Sequence, residues 1–259
     1  MTKVFRHPIG AFERKARSLY DQAMRGLGRV PYLARAQGAR FVVDTTDLID
    51  REIAINAIWE AEQLEDFAAL CRTWPVDCFL DIGANAGVYS VMLAMKNLAG
   101  EIIAFEPDPG NRARLEANIA ANGLQDRIRV VEDAVGDKPG EVVLMEAGCH
   151  NRGESWIAHP DKPPEEAPGV ASHVVRQIRF DDVFAFSGKT ILIKMDVEGS
   201  EFHALAGMER TLRDNRCYLQ VELYSDRFEE LKALFARLGY RYLKTEYIDH
   251  YFTNMTGVS

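Results

Sequence analysis

The sequence predicts an α/β fold built on a mostly parallel sheet, and three observations support this prediction. Short apolar runs recur at residues 78–82, 101–105, 128–131, 190–195 and 217–221. Stretches between these runs place apolar residues at helical spacing, as Leu115 and Ile119 show. A turn of small residues joins the first run to the helix after it, which is typical of a nucleotide-binding α/β domain.

That turn also indicates which ligand the domain binds. Gly83 fills the first place of the dinucleotide fingerprint G-x-G-x-x-G, but Asn85 and Val88 occupy the second and third glycine places. Asp81, two residues earlier, would repel a pyrophosphate. A cationic nucleoside such as S-adenosylmethionine (SAM) fits this pattern better than NAD does. The alternative is a glycine turn that only packs a helix onto the sheet.

Composition and charge exclude several classes of protein. The chain has 259 residues and a formal net charge of −8, which argues against a nucleic-acid partner. Its four cysteines form no C-x-x-C pair, so we expect neither a zinc site nor a disulfide framework. This cysteine usage suits a cytoplasmic protein. No apolar run approaches the roughly 18 residues of a spanning helix, and no signal-peptide core is apparent.

Residues 1–40 are interpreted as a basic helical arm. They carry nine of the 31 Lys and Arg residues but two of the 39 acids, so the remaining chain carries 22 basic and 37 acidic residues. One predicted helix face gathers the apolar residues Phe12, Ala16, Leu19, Tyr20 and Ala23. This face either makes peripheral contact with anionic lipid at the inner side of a membrane, or packs on the domain or on another subunit of a homo-oligomer.

Residues 41–75 are interpreted as a cap segment over the mouth of the fold. A short strand is expected at 39–43, and a helix over 47–70 that is broken near 58–60. Trp74-Pro75 ends this segment, because proline disfavours helix in the residue before it. The main domain is therefore predicted to cover residues 76–259.

Acids that follow the second and third strands can hold an adenosine ligand. Glu106 lies 19 residues past Gly87, where a carboxylate in such folds accepts hydrogen bonds from both ribose hydroxyls. Asp133 is the candidate for an adenine amino group, with Glu132 as the fallback. The alternative for Glu106 is an exposed turn acid. Residues 140–145 are expected to add a strand at the margin of the sheet.

The stretch 146–172 interrupts the alternation of strands and helices. Loops this long in a compact domain are usually functional or disordered. Trp156 with His150 and Asn151 can form a wall of an acceptor pocket. The proline-rich part, 160–169, is interpreted as a surface excursion.

The fourth strand carries the strongest catalytic candidates. Asp196 and Glu198 follow it, and Asp196 should face Asp81 across the crevice at the switch point of the sheet. Acids there can transfer protons, bind ligand or hold a metal. The alternative for Glu198 is a helix cap. Lys194 is expected to form an ion pair under the pocket floor.

Three further residues are candidates for contact with a substrate. His203 lies on the first turn of the next helix, and the alternative is a surface histidine. Glu222 and Tyr224 follow the fifth strand at the same ligand edge. Residues 240–244 and 250–254 are expected to close the sheet as an antiparallel pair.

Several segments together resemble the FkbM-type family of SAM-dependent methyltransferases. They are FLDIGANAGVYS, IIAFEPDPGNRARLEANIAANGL, AVGDKPGEVVL, RFDDV and ILIKMDVEGSEFHALAGM. The resemblance implies a Rossmann-like class I SAM-methyltransferase fold. Its sheet would have seven mostly parallel strands with an antiparallel C-terminal strand, preceded here by an N-terminal helical extension. Members of the family methylate hydroxyls of sugars, glycans or polyketides.

The resemblance also implies which residues form the site. The implied cofactor contacts are Asp81, Gly83, Ala84, Asn85, Gly87, Glu106, Asp133, Ala134 and Asp196. The resemblance implies pocket roles for Asp196 and Glu198, which are our catalytic candidates. The residues themselves, and not the resemblance, indicate the acceptor candidates His150, Asn151, Trp156, His203, Glu222 and Tyr224.

The predicted reaction moves the methyl group of SAM to a hydroxyl of a small molecule or glycan, with Asp196 as the base or the residue that positions it. A metal-dependent form of this reaction, with a divalent metal held by Asp196, Glu198 and Glu222, is less favoured. N-methylation is disfavoured because the D/N-P-P-Y/F motif usual in those enzymes is replaced by the sequence from Asp196 to Gly199. A SAM-binding partner in polysaccharide assembly, without chemistry of its own, is the alternative from another class.

Overall fold

The computed structural model describes residues 9–148, 152–159, 171–224 and 226–258. The helices are α1 (Ala11–Gly26), α2 (Leu48–Asn56), α3 (Ala61–Thr73), α4 (Val88–Met95), α5 (Pro109–Asn122), α6 (Phe180–Val183), α7 (Glu201–Gly207), α8 (Glu209–Asp214) and α9 (Phe228–Arg237). The strands are β1 (Tyr32–Ala36), β2 (Ala39–Val43), β3 (Cys78–Ile82), β4 (Glu101–Phe105), β5 (Ile128–Val131), β6 (Ala134–Gly136), β7 (Gly140–Glu146), β8 (Trp156–Ile157), β9 (Ala171–Arg179), β10 (Thr190–Met195), β11 (Arg216–Glu222), β12 (Arg241–Glu246) and β13 (Asp249–Thr253).

The central sheet has seven strands in the order β12-β13-β11-β10-β3-β4-β5. Strands β11, β10, β3, β4 and β5 pair in parallel, whereas β13 runs antiparallel to both β11 and β12. The prediction of an α/β fold built on a mostly parallel sheet is confirmed, and the sheet is mixed because β13 is antiparallel to its neighbours. Chain order reverses between β3 and β10, so the ligand crevice is expected at the carboxyl ends of these two strands.

Helices cover both faces of this sheet, which explains its continuous apolar strands. Along β3, Phe79 joins the core under α3, α4 and α5, and its neighbour Leu80 joins the core under α6 to α9. Side chains of adjacent strand residues point to opposite faces. Burial on both faces fixes the register and thereby sets which residues reach the carboxyl edge.

Helix α5 shows how the sequence sets the ends of an element. The Asp108 carboxylate caps its N-terminus by accepting from the backbone N–H groups of Gly110 and Asn111, at 2.7 and 3.0 Å. Pro109 occupies the first turn, and Gly123 ends the helix with φ +68°. This helix therefore begins directly after the turn that holds Glu106.

The prediction that residues 140–145 extend the main sheet is wrong. Strand β7 belongs to a separate sheet of order β6-β9-β7-β8 and pairs with β9 from Gly140–Gln177 to Glu146–Ala171. Strand β9 was not anticipated, because it directly follows the long proline-containing loop. Its nine residues give β7 a partner far along the chain.

The N-terminal region is helical only in part. Helix α1 ends at Gly26, and β1 and β2 form an antiparallel hairpin. This hairpin lies on α5, where the Asn118 side chain accepts from the Val42 N–H at 2.7 Å and donates to the Ala86 carbonyl at 2.8 Å. The expected helix break near 58–60 is observed between α2 and α3. Within the described ranges, no helix is long and apolar enough to span a membrane.

Candidate functional site

Two adjoining cavities lie at the carboxyl ends of the parallel strands. The larger measures about 280 Å³ and the smaller about 60 Å³. Residues that line both are Gly83, Asn85, Gly153, Asp196 and Glu198. The shared residues come from the β3–α4 turn, the segment after β10 and the turn after β7. The cavities therefore form one crevice at the switch point.

The turn after β3 approaches the segment after β10 so closely that Gly83 has no room for a side chain. Gly83 has φ +83°, and a Cβ built there would lie 1.7 Å from the carbonyl oxygen of Asp196. Asn85 follows in the left-handed region with φ +51°. Its buried Oδ1 has no hydrogen-bond partner among the described residues. An unsatisfied buried acceptor in this turn fits a ligand that brings a hydrogen-bond donor.

Glu106 is buried at the boundary of the smaller cavity. Its two carboxylate oxygens accept from the backbone N–H groups of Asn85 and Asp108, at 2.7 and 2.9 Å. Burial raises the pKa of Glu106 to about 8, and these two hydrogen bonds oppose the rise. Each oxygen keeps a second acceptor position, so the carboxylate can still bind a pair of hydroxyls.

Asp133 and Ala134 also line the smaller cavity. The Asp133 carboxylate accepts two hydrogen bonds from the Arg176 guanidinium, both at 2.5 Å. Arg176 lies on β9, which had not been predicted as a strand. This bidentate pair orients the Asp133 carboxylate and secures the second sheet beside the crevice.

Lys194 lies at the floor of the larger cavity. It is in register with Asp81 on β3 and Gln220 on β11, and its ammonium donates to Asp196 Oδ2 at 2.9 Å. Burial by itself lowers the pKa of Lys194, but Asp196, Glu60 and Asp81 together raise it well above its ordinary value. Lys194 is therefore a permanent cation beneath the crevice.

Acidic residues dominate the wall of the larger cavity. They are Glu60, Asp81, Glu154, Asp196, Glu198, Glu222 and Asp249. Among the lining residues that the structure describes, Lys194 is the one lysine or arginine. Burial raises the pKa of Asp81 and Asp249, and that of Glu222 to about 8. An excess of carboxylates in a desolvated pocket favours a cationic ligand.

Raising the pH should destabilise the ligand-free protein through Glu222. Burial raises the pKa of Glu222 from 4.5 to about 8. Between about pH 4.5 and pH 8 the carboxyl group is ionised in the unfolded chain but keeps its proton in the folded protein. The free energy of unfolding therefore falls as the pH rises through this range. We expect Tm to fall by roughly 5 °C between about pH 5.5 and about pH 8.5, and by less in Glu222→Gln.

Glu116→Gln is the matched control for this measurement, because Glu116 is exposed on α5. Its thermal melts should show the same pH slope as the unaltered protein. If Glu222→Gln showed that slope too, the partly buried Glu222 carboxyl group would not be the source of the pH dependence.

Three carboxylates can approach a common point. Asp196, Glu198 and Glu222 each offer an oxygen, and these oxygens lie within 4.8 Å of one another. Such oxygen ligands suit Mg²⁺ or Ca²⁺. The Lys194 ammonium is already bound to Asp196 and would repel a second cation at this point.

Glu60 and Tyr89 were missed by the sequence analysis. The Tyr89 hydroxyl donates to Glu60 Oε2 at 2.5 Å, and Gln220 Nε2 donates to Asp249 Oδ1 at 2.9 Å in the same buried network. Glu60 comes from the junction between α2 and α3, with φ +43°. The predicted helix break near Glu60 could have indicated this residue, since a chain that leaves a helix there can turn a side chain inward.

Other predicted residues lie at different distances from the crevice. Glu222 and Tyr224 line the larger cavity, together with Trp59 and Tyr247. The residues that line neither cavity are Gly87, which caps α4, Trp156 on β8 and His203 on α7. His203 stacks on His159 at 4.2 Å between ring centroids and lies 3.6 Å from Asp137. His150 and Asn151 are outside the described residues.

Comparison with known proteins identifies the family. The family described as the methyltransferase FkbM domain matches residues 81–242. The chain belongs to this FkbM family. The resemblance noted from the sequence segments is thus confirmed, and an FkbM domain indicates a methyltransferase, for which SAM is the expected methyl donor.

Two curated relatives are similar to part of this chain. The 2-O-methyltransferase NoeI of Sinorhizobium fredii (strain NBRC 101917 / NGR234) is 30% identical over 162 residues, which cover 59% of this chain and 65% of NoeI. The AMB antimetabolite synthetase AmbE of Pseudomonas aeruginosa is 25% identical over 199 residues, which cover 64% of this chain and 9% of AmbE. The chain thus spans less than two thirds of each relative.

A solved FkbM methyltransferase from Methylobacillus flagellatus KT is also similar. It is 15% identical, with a TM-score of 0.46, and the match covers 91% of this chain and 70% of that one.

Proposed function

We propose that this FkbM protein is a SAM-dependent O-methyltransferase that acts on a hydroxyl of a sugar, glycan, glycolipid or related natural product. The observation that carries the proposal is the two-part crevice, in which a small cavity with Glu106 adjoins a larger, carboxylate-rich chamber. The residues predicted to contact an adenosine line the small cavity, and the chamber suits a hydroxyl-bearing acceptor. NoeI, a 2-O-methyltransferase by name, supports transfer to oxygen.

The residues of the crevice fit SAM. Glu106 would accept from the ribose hydroxyls, and Asp133 with Ala134 would lie at the adenine edge. The unsatisfied Asn85 Oδ1 can accept from the ligand's amino group, and the surrounding acids favour its two positive charges. SAM, when bound, supplies a methyl group on a good leaving group.

The chain's own task is then to orient the acceptor hydroxyl and receive its proton. An alcohol ionises too weakly at neutral pH to act without a base. Asp196 lies between the two cavities, with Oδ2 bound to the Lys194 ammonium. This hydrogen bond fixes the carboxylate, and Asp196 can take the hydroxyl proton as the oxygen–carbon bond forms. The aromatic residues Trp59, Tyr224 and Tyr247 offer flat apolar surfaces to a sugar ring.

The test has two steps. Calorimetry should show binding of SAM and of its demethylated product, and no binding of NADH. The protein with labelled SAM should then transfer label into a glycan or glycolipid extract, in a product that resists acid hydrolysis as an ether does. SAM binding without transfer to any extract would favour the non-catalytic alternative, and label on nitrogen would favour N-methylation.

Removal of divalent metal should leave the reaction unchanged. Lys194 already neutralises Asp196 and disfavours a second cation within the three-carboxylate cluster. We expect turnover after treatment with a chelator to stay within about twofold of the untreated value. Turnover that disappears with chelator and returns with added Mg²⁺ or Mn²⁺ would instead assign Asp196, Glu198 and Glu222 as metal ligands.

A further inference from the structure

Helix α1 packs on the protein through its polar face. Asp21 is 3% exposed, and its Oδ1 accepts from the hydroxyls of Tyr32 at 3.1 Å and Thr45 at 2.5 Å. The Arg17 guanidinium donates to the carbonyls of Arg35 at 2.7 Å and Ala54 at 3.3 Å. These hydrogen bonds fix the rotation of the helix about its axis.

With the polar face turned inward, the apolar face of α1 points to solvent. Its large side chains are Phe12, Leu19 and Tyr20, with Leu27 at the helix end, and their exposed fractions are 88%, 57%, 54% and 69%. We call these four residues the outer face of α1. Leu33 of β1, which is 52% exposed, lies beside the same groove as Tyr20. Tyr20 contacts the ring of Tyr32 edge-on, at 5.5 Å between ring centroids, but Phe12, Leu19 and Leu27 remain mostly exposed. An apolar patch of this kind usually marks a binding surface.

The charge around this surface indicates its partner. Lys15 and Arg25 on α1 are exposed, as are Arg29, Arg35 and Arg40 after it. Residues 1–40 carry nine basic and two acidic residues, whereas the remaining chain carries 22 basic and 37 acidic residues. A symmetric contact between two copies would bring two basic arms together, which costs electrostatic energy. An anionic lipid surface accepts the apolar side chains and attracts the arginines as well.

We propose that the outer face of α1 binds the surface of an anionic lipid bilayer, with the helix lying in the interface. Leu19, Leu27 and Phe12 enter the boundary between headgroups and acyl chains, and Lys15, at the edge of the outer face, contacts lipid phosphates. The acidic body, repelled by the same surface, stays in the aqueous phase. This proposal does not depend on the methyl acceptor.

Vesicle flotation with the full chain tests the proposal. We expect it to float with vesicles of phosphatidylcholine and phosphatidylglycerol in equal parts, to remain unbound with phosphatidylcholine alone, and to release partly in high salt. The double variant Leu19→Glu with Leu27→Glu should lower the partition coefficient at least about tenfold, because it removes apolar insertion and adds repulsion.

The matched control is Val174→Glu with Val183→Glu, which adds the same charge at exposed apolar positions away from α1. It should float as the unaltered protein does, and circular dichroism should show all three proteins folded. Failure to float with anionic vesicles would overturn the proposal, as would equal flotation of the α1 variant. A dimer in gel filtration that the α1 variant dissociates, without vesicle binding, would assign the face to a second copy instead.

Discussion

Replacing Asp196 by asparagine should lower turnover by about 10²- to 10⁴-fold while SAM still binds. Asparagine keeps the size of the side chain, and its Oδ1 can still accept from the Lys194 ammonium that now bonds Asp196 at 2.9 Å. It cannot receive the proton of an acceptor hydroxyl. The expected loss therefore falls on the chemical step, and the dissociation constant of SAM should rise less than about tenfold.

The measurement is turnover of labelled SAM with an extract that supports the unaltered enzyme, together with calorimetry of SAM alone. Asp182→Asn is the matched control, since Asp182 is exposed on α6, and it should keep full turnover. Unaltered turnover in Asp196→Asn would refute the role of Asp196. If Glu222→Gln lost turnover to this extent and Asp196→Asn did not, Glu222 would be assigned as the residue that receives the hydroxyl proton.

Replacing Gly83 by alanine should destabilise the fold and abolish SAM binding. The added Cβ would lie 1.7 Å from the carbonyl oxygen of Asp196 and 2.8 Å from its carbonyl carbon, and both are backbone atoms of the residue that directly follows β10. The residue also has φ +83°, which alanine rarely adopts. We expect a loss of at least about 3 kcal/mol in the free energy of unfolding, seen as a fall in Tm of roughly 6 to 12 °C.

Substitutions at two other glycines distinguish the cost of backbone strain from the cost of the steric clash. Gly188 has φ +68° with open space around its Cα, so Gly188→Ala reports backbone strain alone and should cost about 1 kcal/mol. Gly140 has open space and no positive φ, so Gly140→Ala should be close to neutral. A Gly83→Ala protein as stable as the Gly140→Ala protein would show that the turn and the Asp196 backbone are farther apart than described.

The sequence was most informative where parallel strands determine position. Asp81, Glu106 and Asp196 lie in or directly after short apolar strands. Because these strands run in the same direction, their carboxyl ends meet at one edge, and spacing along the chain was enough to gather the acids there. The fold class and the position of the crevice could be predicted for the same reason.

Partners that lie far apart in sequence could not be predicted in this way. The pair of Asp133 and Arg176 spans 43 residues, and it depends on β9 lying beside β6 in the second sheet. The hydrogen bond between Tyr89 and Glu60 spans 29 residues and depends on how the cap segment folds back. Local patterns carry no information about such tertiary contacts.

Helix α1 illustrates a third limit. Its periodicity correctly predicts a helix with one apolar face, but periodicity does not determine which face the protein covers. Asp21 decides this, because its partners Tyr32 and Thr45 come from the hairpin and the loop after it. A helix with a partly polar inner face is recognised only when those partners are in place.

Glu60 lines the larger cavity from a segment that lies outside the matched FkbM domain. Its carboxylate projects into the chamber from a segment that precedes residue 81, where the FkbM domain begins, whereas Glu106 and Asn85 belong to the domain itself. Changes in the earlier segment can thus reshape the larger cavity and spare the smaller one that Glu106 lines. Under the proposed function, altering this stretch would exchange one methyl acceptor for another while the smaller cavity, lined by Glu106 and Asp133, stays unchanged.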